Sequence, residues 1–406
     1  MTSTCFVEVW RHGSRAALVP LFPIYEQDWV FGGGGFGELT PKGMAQMHRV
    51  GSAIRQKYVV EEQFLSEKYN AKELSIHSTD TNRTIISAIS LLYGLYPPGS
   101  WNQIGIDYPE NVADWQTGLT FIPVRIDNDP AQSCPRLSEL GELMNQLPEV
   151  QAANDIYFAL TANVSTLYNI STNQNDPVTA FWGDSIKSQR DEFNATLYKK
   201  CNWYNEEFYE RSQTSFAPQN GFGCGYFTQN STVNGINIEK ETRILQAGPI
   251  LNQILDRAIN KLNCNDTCSE FYKNLKFHGY SGHDYSINAL LIAFGLRDVL
   301  TTLDALPDYA ATLFFEFYRR TDDNQLYFKI LYRASDNSTI TPISNRIKGC
   351  NGQDICSLDI FSQKANFYKP LPGITTLCNT PLFKSGAGQT TIMFTIMLTW
   401  MIRLLI

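Results

Sequence analysis

The pentapeptide Arg11-His12-Gly13-Ser14-Arg15 follows directly on the run Cys5-Phe6-Val7-Glu8-Val9-Trp10. A mostly apolar, strand-like segment that ends in two guanidiniums and an imidazole restricts the folds open to the chain. The positive groups repel one another, and burying arginine at a strand end is costly unless an anion pairs with it. A phosphate group resolves the conflict. Guanidinium forks match its oxygens, and a neutral imidazole is a nucleophile that can accept a phosphoryl group. A basic surface loop can carry the same five residues, so the motif alone does not decide the matter.

Two further segments do. Tyr280-Ser281-Gly282-His283-Asp284 follows the strand-like Leu275-Lys276-Phe277-His278-Gly279, and Ser78-Thr79-Asp80-Thr81-Asn82-Arg83-Thr84 follows Leu74-Ser75-Ile76-His77. Each places an anion-binding or proton-transfer side chain just beyond a short strand. Open α/β sheets bind ligands at the carboxyl ends of their strands. The expected fold is therefore α/β, a mixed but mainly parallel sheet flanked by helices, with a mostly helical inserted cap.

These segments resemble the histidine acid phosphatases. That family's first motif, R-H-G-x-R-x-P, stands here as Arg11 to Ala17, its H-D pair as His283-Asp284, and its S-T-D-x-x-R-T stretch as Ser78 to Thr84. The resemblance extends to Gly35–Gly43 and Phe314–Tyr318, and so runs to about residue 385. Ala17 stands where the family usually has proline, which loosens the loop without removing chemistry. The resemblance implies a two-step hydrolysis of phosphate monoesters. His12 attacks phosphorus to form a phosphohistidine, Arg11, Arg15, Arg83 and His283 hold the phosphoryl oxygens, and Asp284 protonates the leaving alkoxide. An acidic pH optimum follows if Asp284 must carry a proton when it acts. With the arginines neutralising charge, no metal and no cofactor is expected.

The chain has 406 residues, 43% of them hydrophobic and 18% charged, with net charge −7. That size supports a full core, and the acidic balance argues against nucleic acid as a partner. Nine cysteines and the sequons at Asn163, Asn169, Asn194, Asn230, Asn265 and Asn337 point to the secretory route. Asn82 also fits the sequon pattern but adjoins the proposed site. The spacings Cys264-x3-Cys268 and Cys350-x5-Cys356 suit either zinc or local disulfides; with five histidines in all, disulfides are favoured. The family resemblance implies Cys350 with Cys356 and Cys134 with Cys378, and Cys201 with Cys224 is a further expected pair. Cys5, on the first strand, is the expected free thiol.

The first core strand starts too early to leave room for a leader, so a longer precursor is expected. The apolar stretch Thr391–Ile402 reads as a GPI-attachment signal, with a short transmembrane anchor or a buried helix as alternatives. The expected division is α/β core over 1–124, helical cap over 125–245, core again over 246–385, and anchor or signal over 386–406. Within it, helices are expected from Thr40-Pro41 to about Tyr58, over Thr81–Tyr93, Arg243–Leu262 and Tyr285–Leu296. Leu313–Arg319 and Leu326–Tyr332 read as a hairpin at the sheet edge. Gly32–Gly35, lacking a following Gly-Lys-Ser/Thr, is a surface loop. His48 reads as a surface or packing residue, His77 and His278 as satisfied core histidines, and Glu8 as paired with a basic neighbour. Glu316 is structural or a distant rim group.

The leading functional expectation is an acid phosphatase at the cell surface, in a lysosome-like compartment or secreted, acting on small phosphate monoesters. The membrane is met through the C-terminal tail, and a homodimer is one option for assembly. A phytase and an inactive binding protein on the same fold are the alternatives. The cap offers few cations to a polyanion, and His12 and Asp284 are both present, so neither alternative leads. A mutase-like relative would carry glutamate as proton donor.

Overall fold

One eight-stranded mixed sheet organises the computed structural model, which describes residues 2–99, 102–127, 134–168 and 182–383. Its strands are β1 (Thr2–Arg11), β2 (Leu74–Thr79), β3 (Arg125–Asp127), β4 (Phe277–Gly282), β5 (Thr312–Arg319), β6 (Leu326–Arg333), β7 (Thr341–Pro342) and β8 (Cys356–Ser357). Their order is β8-β6-β5-β1-β4-β2-β3, with β7 beside β6. Parallel pairing joins β1, β4, β2 and β3, whereas β5 to β8 pair antiparallel. The sheet is mixed as expected, though less parallel than expected.

The β5–β6 hairpin does not lie at the edge. β5 is held between β1 and β6 and is buried from Thr312 to Phe317. Burial on both faces explains its continuous apolar run, Leu313-Phe314-Phe315, which hides the period-2 signal of a half-exposed strand. β3, which falls within the expected cap, pairs instead with β2. Arg-Ile-Asp is too short and too polar to show a strand pattern.

Alternation along β1 sends Phe6 and Trp10 to one core layer and Cys5, Val7 and Val9 to the other. The first layer is closed by α1 (Pro41–Ile54), continued by a π-helical stretch to Glu61, and by α2 (Asn82–Leu95). Thr40 caps α1 by accepting from the Gly43 amide, and Pro41 sits at its first position. A third cluster is built by α3 (Pro135–Met144), α4 (Pro148–Tyr168), α5 (Trp182–Lys200), α6 (Glu206–Phe222) and α7 (Ile238–Gln246). Their apolar faces gather with Ala16–Trp29 in that cluster. The second face of the sheet is closed by α8 (Gly248–Leu262), α9 (Asp284–Phe294) and α10 (Leu358–Phe367).

Disulfides join Cys134 to Cys378, Cys264 to Cys268 and Cys350 to Cys356. Cys201 and Cys224 are not paired, contrary to expectation, and both are buried free thiols. Cys201 packs in the cluster of the cap helices, while Cys224 packs in that of β1, α8 and α9 with Sγ near the Tyr285 carbonyl. Cys5 is free and buried as expected, its thiol pushed up to about 12 by burial. Asn194, Asn230, Asn265 and Asn337 are exposed, as glycan attachment needs. Asn163 falls in α4, while Asn169 and the tail 391–406 lie outside the described residues. Among the described residues no helix is long and apolar enough to cross a membrane.

Candidate active site

β1 ends at Arg11 and β4 at Gly282, and these two residues are register partners. The chain therefore sets His12 and His283 side by side, with ring centroids 5.7 Å apart. The backbone of His12 is fixed from both sides. His12 N donates to Gly282 O at 3.1 Å, and Ala310 N donates to His12 O at 3.1 Å. Gly13 is required by close packing, since a Cβ there would stand 2.3 Å from the Gly43 carbonyl oxygen in α1.

The tautomer of His12 follows from its contact. Nδ1 lies 2.8 Å from the Gly13 carbonyl, and a carbonyl only accepts, so Nδ1 carries the proton and Nε2 keeps its lone pair. Burial, then Arg83, Arg11 and Arg15, holds the His12 pKa well below its ordinary value. The imidazole thus stays neutral and nucleophilic in mild acid.

The two motif arginines are anchored by their terminal nitrogens. Arg11 Nη2 pairs with Asp284 Oδ2 at 2.7 Å, Nη1 donates to Pro307 O at 2.7 Å, and the guanidinium stacks 4.3 Å from the Tyr309 ring centroid. Arg15 Nη2 donates to both Asp184 oxygens at 2.8 and 3.0 Å, while Nη1 donates to Ala16 O and Ser188 Oγ. The Nε atoms of Arg11 and Arg15 are buried with no hydrogen-bond partner. Buried donors of this kind are costly unless an acceptor reaches them.

Arg83 enters from the first turn of α2, its Nη2 3.5 Å from His283 Nδ1. Burial and the Arg15 charge push its pKa down to about 10, the mark of crowded positive charge. His283 caps α9 and lies 2.9 Å from Thr79 Oγ1 through Nε2. Asp284 follows in the first helical turn. All six residues predicted from sequence converge, and none is more than 7% exposed.

The sequence reading missed the side chains that steady them. Asp184, Lys187 and Ser188 come from α5. Ser188 Oγ also meets Tyr309 OH at 3.1 Å, and Lys187 pairs with Asp304 at 2.8 Å. The available signal was three polar residues at i, i+3 and i+4, a single helical face. The other single residues mostly follow expectation. His77 is satisfied by Ser75 and Asp127, and Glu316 is tied to Tyr58 and Lys57. Two do not. Both ring nitrogens of His278 and both carboxyl oxygens of Glu8 are buried without a hydrogen-bond partner, with Arg333 acting on Glu8 only through its charge. The β-ladder fixes both backbones and carries the side chains into packed layers.

Comparison with known proteins decides the family. Residues 4–333 match the histidine phosphatase superfamily, branch 2. This chain belongs to that family. It is a histidine acid phosphatase, a phosphoric monoester hydrolase. It is 43% identical to the putative acid phosphatase 10 of Caenorhabditis elegans over 91% of this chain and 92% of the relative. Human prostatic acid phosphatase is 28% identical over 87% of this chain and 82% of its own. The phytase of Citrobacter braakii superposes with a TM-score of 0.60 over 94% of this chain and all of its own, at 15% identity, a likeness of fold.

Proposed function

We propose that this phosphatase works by two displacements at phosphorus, with His12 Nε2 as the nucleophile. The observation that carries the reading is the His12 tautomer set against buried, unpartnered Nε donors on Arg11 and Arg15. Nε2 attacks, the P–O bond to the alcohol breaks, and the phosphoryl group rests on His12. Arg11, Arg15 and Arg83 balance its charge, which is where phosphoryl transfer gains most of its rate. Asp284 gives its proton to the leaving alkoxide and then takes one from the attacking water, releasing inorganic phosphate. His283 acts beside them as a further phosphate ligand, its ring oriented by the Nε2 contact with Thr79.

The helices α3 to α7 act as a cap, with α5 meeting Arg15 directly. Three disulfides and the exposed sequons support a secretory route, and the apolar tail 391–406 serves as the membrane attachment. The test is hydrolysis of p-nitrophenyl phosphate by residues 1–385 from a secretory host, across pH 4–8 with EDTA present. Turnover with an acidic optimum, lost in His12→Ala, is expected. An optimum above neutrality or loss of activity in EDTA contradicts the reading.

A further inference from the structure

The charges around the phosphate clamp set a limit on the substrate, an inference that rests on the phosphomonoesterase reading above. Helix α5 places a row of carboxylates against the loop that carries His12. Asp184 is bound to Arg15, Asp191 Oδ2 lies 3.2 Å from Ser14 Oγ, and Glu192 Oε1 accepts from Ser14 Oγ at 3.3 Å and Thr40 Oγ1 at 2.7 Å. Ser14 separates Gly13 from Arg15, so these acids stand within two residues of both the nucleophile and the clamp.

The cations nearby are already matched. Lys187 pairs with Asp304 at 2.8 Å and Asp308 at 3.6 Å, Lys42 with Asp191 at 3.3 Å, and Arg190 with Glu206 at 2.9 Å. The segments 128–133 and 169–181, beyond the described residues, contain no Lys or Arg. Arg11, Arg15 and Arg83 suffice for one phosphoryl group, with Asp284 and Asp184 already drawing on two of them. A second phosphate on the same substrate, reaching past the clamp on the Ser14 side, would face Asp191 and Glu192 and no unmatched cation of α5 ahead of its last turn.

We propose that Asp191 and Glu192 make this site selective for monoesters carrying a single phosphate on an uncharged or cationic alcohol, and that they repel polyphosphorylated substrates. They act on specificity and touch no reacting atom. Asp191→Asn removes one anion and releases Lys42, while Glu192→Gln keeps an oxygen to accept from Thr40. Both are nearly isosteric, so the docking of α5 on the loop survives.

The experiment compares kcat/KM on p-nitrophenyl phosphate and on myo-inositol hexakisphosphate for the wild type, each single variant and the double variant. The wild type is expected to favour the monophosphate strongly. Each substitution should raise kcat/KM on the hexakisphosphate by roughly three- to tenfold, with the monophosphate value within about twofold and the gain shrinking at high salt. Equal use of the two substrates by the wild type overturns the proposal, as does an unchanged ratio in the double variant while monophosphate turnover persists. Should the double variant not fold, Asp191→Asn alone decides, because it leaves both Glu192 contacts in place. Absence of monophosphate turnover in the wild type removes the phosphomonoesterase reading itself.

Discussion

Two histidine pairs occupy the same sheet, and only one is placed to do chemistry. His12 and His283 lie just past the ends of β1 and β4, with ring centroids 5.7 Å apart. His77 and His278 lie within β2 and β4, closer still at 4.8 Å. Burial, followed by neighbouring arginines, pushes His12, His283 and His278 alike well below the ordinary histidine value. A depressed pKa therefore does not separate the pairs. Position does. At the strand ends the ladder stops, the loop and helix N-termini turn toward one point, and Arg11, Arg15 and Arg83 converge there. Within the strands the side chains are packed beneath α8, where His77 is spoken for by Ser75 and Asp127 and His278 meets no hydrogen-bonding partner.

The sharpest way to break this contrast is to remove one ring from each pair. His12→Ala should cost about 10⁴-fold or more in kcat on p-nitrophenyl phosphate, the scale of losing a covalent nucleophile. His278→Leu should stay within a few-fold in the same assay. Comparable losses in both would mean that the inner pair takes part in the reaction.

Asp284 sharpens the comparison next. Asp284→Asn keeps a partner for Arg11 but cannot supply the proton, so a fall of roughly 10²–10⁴-fold is expected on an alkyl phosphate. The fall should be smaller on p-nitrophenyl phosphate, whose weakly basic nitrophenoxide leaves without help. An equal loss on both substrates would assign Asp284 to holding Arg11 alone.

Stability probes the support of the outer pair. Asp184→Ala leaves Arg15 buried without its carboxylate, and breaking such a pair typically costs about 3–5 kcal/mol. Chemical denaturation measures it. In an Arg15→Ala background the same change should cost much less, since the charge it would strand is gone.

The smallest expected effect belongs to the inner pair. His278 is neutral when folded, with its pKa depressed below the unfolded value of about 6.5. The folded state binds fewer protons, so its contribution is full above that pH and is lost as pH falls below it. Stability is therefore expected to fall between pH 7 and pH 5 by this route. His278→Leu should abolish that share of acid destabilisation, and removing an unsatisfied buried imidazole should leave stability at pH 7 unchanged or slightly higher. Denaturation midpoints at the two pH values give the answer.

The division between outer and inner pairs also marks what could be read from the chain. The outer site was legible because each of its parts is local. Arg11 to Arg15, Arg83 and His283-Asp284 each follow a short strand, and parallel strands bring such ends together without further information. The partners of those residues were not legible, because Asp184 and Ser188 come from α5, about 170 positions away, and nothing local to either segment announces the contact. The same reason hid the failed Cys201–Cys224 pair, whose members settle in different apolar clusters. β3 was missed for the opposite reason, since three residues are too few to carry a period. The edge placement of the β5–β6 hairpin misread an all-apolar run that reflects burial on both faces of the sheet.

The central claim is the covalent step at His12. Wild-type protein is mixed rapidly with a phosphate monoester at acidic pH, quenched in alkali to protect a phosphoramidate bond, digested and read by mass spectrometry. A phosphoryl adduct on the peptide containing Arg11-His12-Gly13, located on His12 and decaying as inorganic phosphate appears, is the predicted result. Turnover without an adduct, or an adduct on His283, His77 or His278, contradicts it.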